Sequence, residues 1–179
     1  YIIGNPPFLG YSLQSPKQKA NLLSVYVDEK GKTYKTAGKI DFVSAWYFKA
    51  SLLMQGSSIR TALVSTNSIT QGEQVSSVWK PLYERFGIHI DFAHQTFKWN
   101  SEAKDKAAVH CVIIGFSCTE NNGVKFLFNA ENIELVHEIN PYLKPGKTVF
   151  IENISHPICP VTKMTTGNRP ADGGHLIIE

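Results

Sequence analysis

Asn5-Pro6-Pro7-Phe8 is the run in this sequence whose residue types and order point most directly to a chemical step. The exocyclic amine of a base such as adenine is a weak nucleophile, because its lone pair is delocalised into the ring. Two acceptors set on its two N–H bonds favour a more tetrahedral nitrogen and raise the density available for attack. The Asn5 side-chain oxygen supplies one acceptor; the Pro6 main-chain carbonyl supplies the other. Proline stiffens the turn and removes a competing N–H donor. Phe8 offers a flat apolar face on which an extruded base can stack, and an enzyme that modifies a base must take it out of the duplex. No metal and no covalent intermediate on the enzyme are required. The same chemistry suits any planar amine or amide nitrogen, including cytosine N4 and a protein glutamine amide. Asn-Pro-Pro also serves simply to end a strand.

Such a motif needs a strand to present it. Residues 1–4 read as the end of a buried strand, stopped by two prolines that cannot continue a ladder. In open α/β sheets, ligands bind beyond the carboxyl ends of strands. Residues 9–40 show no clean periodicity and read as a long loop with one helical turn at most. Loops of that length in a compact domain are usually functional or mobile. Asp41 is positioned to cap a helix over 41–55, with Phe42, Ala45, Trp46, Leu52 and Leu53 as its apolar face and Gly56 as its stop. Residues 59–65 form a short apolar run, hence a central strand. Val75, Val78, Trp79, Leu82 and Phe86 fall at helical spacing; Pro81 predicts a kink or a division into two pieces, and Gly87 closes the helix. Strands follow at 88–93 and 109–116, with a polar loop over 97–107. This order predicts an α/β layered fold with a mostly parallel sheet, the last two strands forming an antiparallel pair at one edge. Beyond Thr119 lies a short strand at 124–128, then turn-rich chain that reads as a connector or the start of another domain.

Charge is uneven. Residues 1–118 hold 13 Lys and Arg against 8 Asp and Glu, while 119–179 hold 5 against 7. Lys17, Lys19, Lys30, Lys32, Lys35 and Lys39 are opposed locally by Asp28 and Glu29 alone, which suits an anionic partner or a solvated basic loop. Ser65-Thr66-Asn67-Ser68 follows a central strand and so faces the ligand side, as a plain turn or as a hydrogen-bonding group. His89, His94 and His110 have no metal-like spacing and read as ordinary residues, and no metal is expected. Cys111, Cys118 and Cys159 have none either; their odd number suggests a reducing compartment. No apolar run reaches 18 residues, so no transmembrane helix and no membrane partner are expected. The absence of an initiator Met, with a strand at the first residues, leads us to expect a fragment of a longer chain.

The Asn5–Phe8 stretch resembles the Asn/Asp/Ser-Pro-Pro-aromatic motif of amino-group DNA methyltransferases, and its Asn and Phe are similar to the adenine-N6 enzymes. The wider text resembles the MmeI-like branch of long bacterial restriction–modification enzymes. The phrases that carry this are Tyr1 to Gly10, Ser65 to Gly72, Val109 to Phe116, and Lys163 to Ile177 with Met164, Gly167-Asn168 and Asp172 to Gly174. They span nearly the whole chain.

The resemblance implies that residues 1–118 are the second half of a Rossmann-like S-adenosylmethionine-dependent methyltransferase sheet, its fourth to seventh strands. Residues 119–179 would lead into a target-recognition domain. The family's Gly-rich cofactor motif lies upstream of the catalytic motif and has no match here, so most of the S-adenosylmethionine pocket would belong to the rest of the parent chain. Nothing here supports cleavage, although the parent could carry a nuclease domain. The family usually places an aromatic near the start of the loop before the last strand, stacking on the other face of the base. Phe97 and Trp99 are the candidates, with Lys98 between them for a phosphate. The expected partner is double-stranded DNA, contacted through Lys17, Lys19, Lys32, Lys35 and Lys98, in a bacterial cytoplasm. The competing reading is a DNA-binding or scaffold segment with no chemistry of its own.

Overall fold

Ile2-Ile3-Gly4 forms strand β1 (Ile2–Gly4), and the chain leaves the sheet at the prolines. A computed structural model of the protein describes residues 1–99, 109–130, 132–152, 154 and 159–160. The remaining elements are α1 (Pro16–Val25), α2 (Ser44–Met54), β2 (Arg60–Thr66), α3 (Gly72–Phe86), β3 (His89–Trp99), β4 (Val109–Ser117), β5 (Lys125–Phe128) and β6 (Ile133–Val136). Short 3-10 turns cover Tyr11–Leu13, Lys35–Lys39 and Asn67–Thr70. No described helix is long and apolar enough to cross a membrane.

The six strands form one sheet in the order β1-β2-β4-β3-β5-β6. Pairs β1–β2 and β3–β5 are parallel; β2–β4, β4–β3 and β5–β6 are antiparallel. The α/β class is as expected and so is the antiparallel β3–β4 pair. Two details are corrected. Four strands share one direction, yet only two of the five pairings are parallel. The β3–β4 pair is not at an edge, because β4 lies between β2 and β3 while β5 and β6 extend the sheet beyond β3. The α3 crossover leaves a one-strand gap, and β4 folds back into it. Buried Cys111, Val112, Ile114 and Phe116 make β4 nearly continuous in apolar character, as a strand buried on both faces requires.

The 9–40 segment is also more ordered than expected. Ser15 Oγ accepts from the Gln18 N–H (3.3 Å) while Gln18 Oε1 accepts from the Ser15 N–H (2.9 Å), a capping box with Pro16 in the first turn. Helix α1 anchors by burying Leu22, a narrow apolar face that gives little periodic signal. Pro81 lies inside one continuous α3, which Gly87 closes in the left-handed conformation (φ 59°, ψ 38°). In α2 the packed face holds Tyr47, Phe48, Ser51 and Met54, whereas Leu52 and Leu53 are exposed.

The core lies between the sheet and these helices. Thr61, Leu63 and Ser65 alternate inward on β2. Tyr47 stacks on Phe116 (centroids 5.2 Å, 15°) and meets Trp79 edge-on (5.3 Å), contacts that fix α2 and α3 against β4. The register lines Ile3, Ala62, Gly115, Phe92, Phe126 and Leu135 in one row on the opposite face. There Ile3, Phe126 and Leu135 are exposed, and the Phe92 ring lies directly over Gly115. A Cβ at 115 would fall 2.1 Å from that ring. We therefore expect Gly115→Ala to displace Phe92 and destabilise the sheet by about 1–3 kcal/mol, read as a lower urea midpoint; an unchanged midpoint would mean the ring swings aside without cost.

Candidate active site

Because β1, β2 and β3 share one direction, their carboxyl ends form a common rim. Asn5 to Phe8 leave β1 there, the Asn67–Thr70 turn leaves β2, and Phe97 to Trp99 end β3. The Asn5 side chain is exposed, and among the described residues neither it nor the Pro6 carbonyl accepts a hydrogen bond. Pro6 is buried and Phe8 half-buried, so the turn is held by its apolar members while its acceptors stay open. Pro7 is exposed.

Asp41 sits behind this rim. It is 5% exposed and does not cap α2: the N-cap residue is Val43, with no side-chain bond. Instead Oδ1 accepts from the Tyr11 N–H (3.0 Å) and from Gln74 Nε2 (3.0 Å). Oδ2 accepts from Thr66 Oγ1 (3.4 Å) and from Ser68 Oγ. Gln74 closes a ring by accepting from the Asp41 N–H (3.2 Å), and the Phe42 N–H donates to Leu9 O (2.9 Å). The cap expectation thus gives way to a tertiary role, because four donors from other segments outcompete one local N–H. Sequence patterning had no means of finding it, since the donors are remote in the chain. Near the end of β2, Ser65 Oγ bonds Tyr47 Oη (2.6 Å) within the core, and burial pushes that phenol well above its ordinary pKa against the opposing effect of the Ser65 bond.

Phe97 and Trp99 lie on β3, not in a loop: Phe97 pairs with Cys111, Lys98 with His110 and Trp99 with Val109. Their rings share one face with centroids 6.2 Å apart, and Phe97 meets the His94 ring at 4.9 Å. A register shift between His94 and Phe97 re-aims this end of the strand. Trp99 and Lys98 are exposed. Three inter-strand steps, about 14 Å in all, separate β1 from β3. The structure brings the two aromatics to the rim but records no ring contact between them and Phe8 among the described residues. The rest of the 97–107 segment and the Lys163–Ile177 phrase lie outside the described residues.

The basic residues are carried by several separate elements. Lys17 and Lys19 are exposed on α1. Lys30 and Lys32 ride on a turn held by Asp28, close to Val27, whose carbonyl accepts from Arg85 in the last turn of α3. Lys35 lines a cleft of about 720 Å³ with Tyr11 and Lys39, adjoining the chain that follows Phe8. None of Lys17, Lys19, Lys32, Lys35 and Lys98 forms an ion pair among the described residues. A second cleft, of about 790 Å³, opens between the start of α3 (Gln71, Gly72), the end of β3 (Gln95, Thr96) and Tyr142 to Lys144. Its walls come from distant segments, so it left no trace in the sequence. His89 and His94 are half-buried and His110 is exposed; the His94 ring stacks on Phe128 (6.3 Å, 8°). Cys111 is buried, and burial raises its thiol pKa.

The model of the "MmeI, DNA-methyltransferase domain" family matches residues 1–129. DNA methyltransferase A of Bacillus subtilis (strain 168) is 41% identical over 177 residues, which is 99% of this chain and 20% of that protein. The structure of the Type IIL restriction–modification enzyme MmeI in complex with DNA superposes with a TM-score of 0.84 at 46% identity, over 97% of this chain and 23% of that one. The chain therefore spans about a fifth of the relatives it matches, and it belongs to the MmeI DNA-methyltransferase domain family.

Proposed function

We propose that this chain forms the base-receiving half of a DNA adenine-N6 methyltransferase within a restriction–modification enzyme. The observation that supports this most is the open pair of acceptors at Asn5 and Pro6, at the carboxyl end of a strand and on a turn fixed by a buried proline. The Asn5 amide oxygen and the Pro6 carbonyl would accept the two N–H bonds of an extruded adenine, and Phe8 would bear on its ring. S-adenosylmethionine would supply the electrophilic methyl group. When bound, it would leave as a neutral thioether once the methyl group passes to the amine held by Asn5 and Pro6, and the proton that the amine gives up would pass to solvent. The free acceptors fit the amine side of that reaction; most of the pocket for the methyl donor would be built by the rest of the polypeptide.

Phe97 and Trp99 are proposed to steady the extruded base or the strand around it, and Lys17, Lys19, Lys32, Lys35 and Lys98 to meet phosphates of double-stranded DNA. The chain beyond β6 is proposed to lead toward a DNA-reading domain, in a protein of the bacterial cytoplasm.

The full-length polypeptide, incubated with labelled S-adenosylmethionine and DNA, is expected to yield N6-methyladenine on digestion and mass analysis. Asn5→Ala is expected to slow this on the order of a hundredfold or more, the scale for losing one group that stabilises developing charge. N4-methylcytosine or a methylated protein amide as product would redirect the substrate, and full activity in Asn5→Ala would remove the motif from the chemistry. In binding assays, Lys35→Ala is expected to flatten the log K against log salt slope by about one without altering sequence preference. An unchanged slope would take Lys35 off the DNA.

A further inference from the structure

We infer that Asp41 is a positioning residue for this reaction, clamping the loop that carries Asn5 to Phe8 and the loop that carries Thr66 to Ser68 at a fixed separation. The inference rests on the methyltransferase reading above. Its basis is the distribution of the four donors. Tyr11 lies three residues beyond Phe8, Thr66 and Ser68 bracket the end of the neighbouring strand, and Gln74 begins the helix after it. One carboxylate therefore joins both rim loops and α3.

The main chain repeats the same tie. Leu9 O accepts from the Phe42 N–H, and Ile40 O accepts from Gln14 Nε2 (2.9 Å), strapping residues 9–14 to 40–42 on either side of Asp41. A helix cap would not need this arrangement, since α2 begins without the Asp41 side chain. Nor would a purely packing role need it, since the side chain is polar and sits at the rim. A carboxylate is suited to the place because it accepts only, so every donor around it is forced to point inward. Its burial makes the geometry stiff, since withdrawing any one donor leaves charge uncompensated.

Displacing a reacting group by about 1 Å can cost on the order of a hundredfold in rate. Asp41→Ala frees both loops at once. Ser68→Ala removes one of the two donors on the β2 side and leaves the carboxylate Thr66, Tyr11 and Gln74. Asp41→Asn retains the shape and one acceptor, and the Thr66 and Ser68 hydroxyls can turn to accept from its amide. The conservative variant should therefore restore most of what alanine loses.

The test is single-turnover methyl transfer by the full-length polypeptide, with DNA affinity and unfolding midpoint measured on the same preparations. Asp41→Ala is expected to slow transfer roughly a hundredfold and Ser68→Ala about tenfold, each with DNA affinity held within about threefold. Asp41→Asn is expected to recover most of the rate, and Ser68→Ala to add nothing further in the Asp41→Ala background. Parental transfer per folded molecule in Asp41→Ala overturns the inference. If that variant does not fold, parental transfer in Ser68→Ala overturns it instead. Additive losses, or losses that track the unfolding midpoint, overturn it in favour of a fold-support role. A well-folded parent that methylates no DNA, or an active Asn5→Ala, tells against the methyltransferase reading itself and takes this inference with it.

Discussion

The carboxylate of Asp41 is the constraint around which the rim is organised. Burying a charge to that degree is costly unless donors meet it. No local backbone supplies enough of them, so segments distant in sequence must arrive: Tyr11 from 30 residues before, Thr66 and Ser68 from 25 and 27 residues after, and Gln74 from 33. Each donor brings its loop with it. The stretch between Phe8 and Asp41 can then be long without being loose, because its end is tied and α1 is capped within it. Loop closure costs little more for a long excursion than for a short one, which leaves the excursion room for a basic surface.

The sheet supplies the second constraint. Placing β4 antiparallel between β2 and β3 sets the outgoing ends of β1, β2 and β3 on one side while moving β3 one strand further from β1. A ligand contacting both Asn5 and the Phe97–Trp99 pair must therefore span the rim. Among the described residues, exposed Lys17, Lys19, Lys32, Lys35 and Lys98 form no ion pair, which leaves their charge open to an anionic partner.

Rigidity is distributed to match. Behind the rim, Tyr47, Trp79 and Phe116 interlock α2, α3 and β4, with the Trp79 indole donating to Ile69 O (2.8 Å) in the turn after β2. That turn is thus held from below by the core and from the side by Asp41. The acceptors of Asn5 and Pro6 stand in front of it, free of partners among the described residues. Fixed surroundings and open acceptors are what a site needs when its hydrogen bonds are reserved for a ligand.

What the sequence determined by itself was local. Alternation and apolar runs marked β1, β2, β4 and β5, the period of Val75 to Phe86 marked α3, and Gly87 marked its end, because these depend on neighbours a few residues away. The turn at Asn5-Pro6-Pro7-Phe8 was legible for the same reason: the residues that end β1 are adjacent in the chain. Helix α1 was legible in principle, through Ser15 and Gln18, yet its single buried leucine left too faint a stripe. The tertiary structure alone decided the rest. Strand order, the interior place of β4, the continuation of β3 through Trp99 and the true partners of Asp41 all depend on contacts between distant segments. A residue such as Asp41 looks like a helix cap when only its neighbours are known. It becomes the clasp of the rim because folding delivers four better donors than the helix could offer.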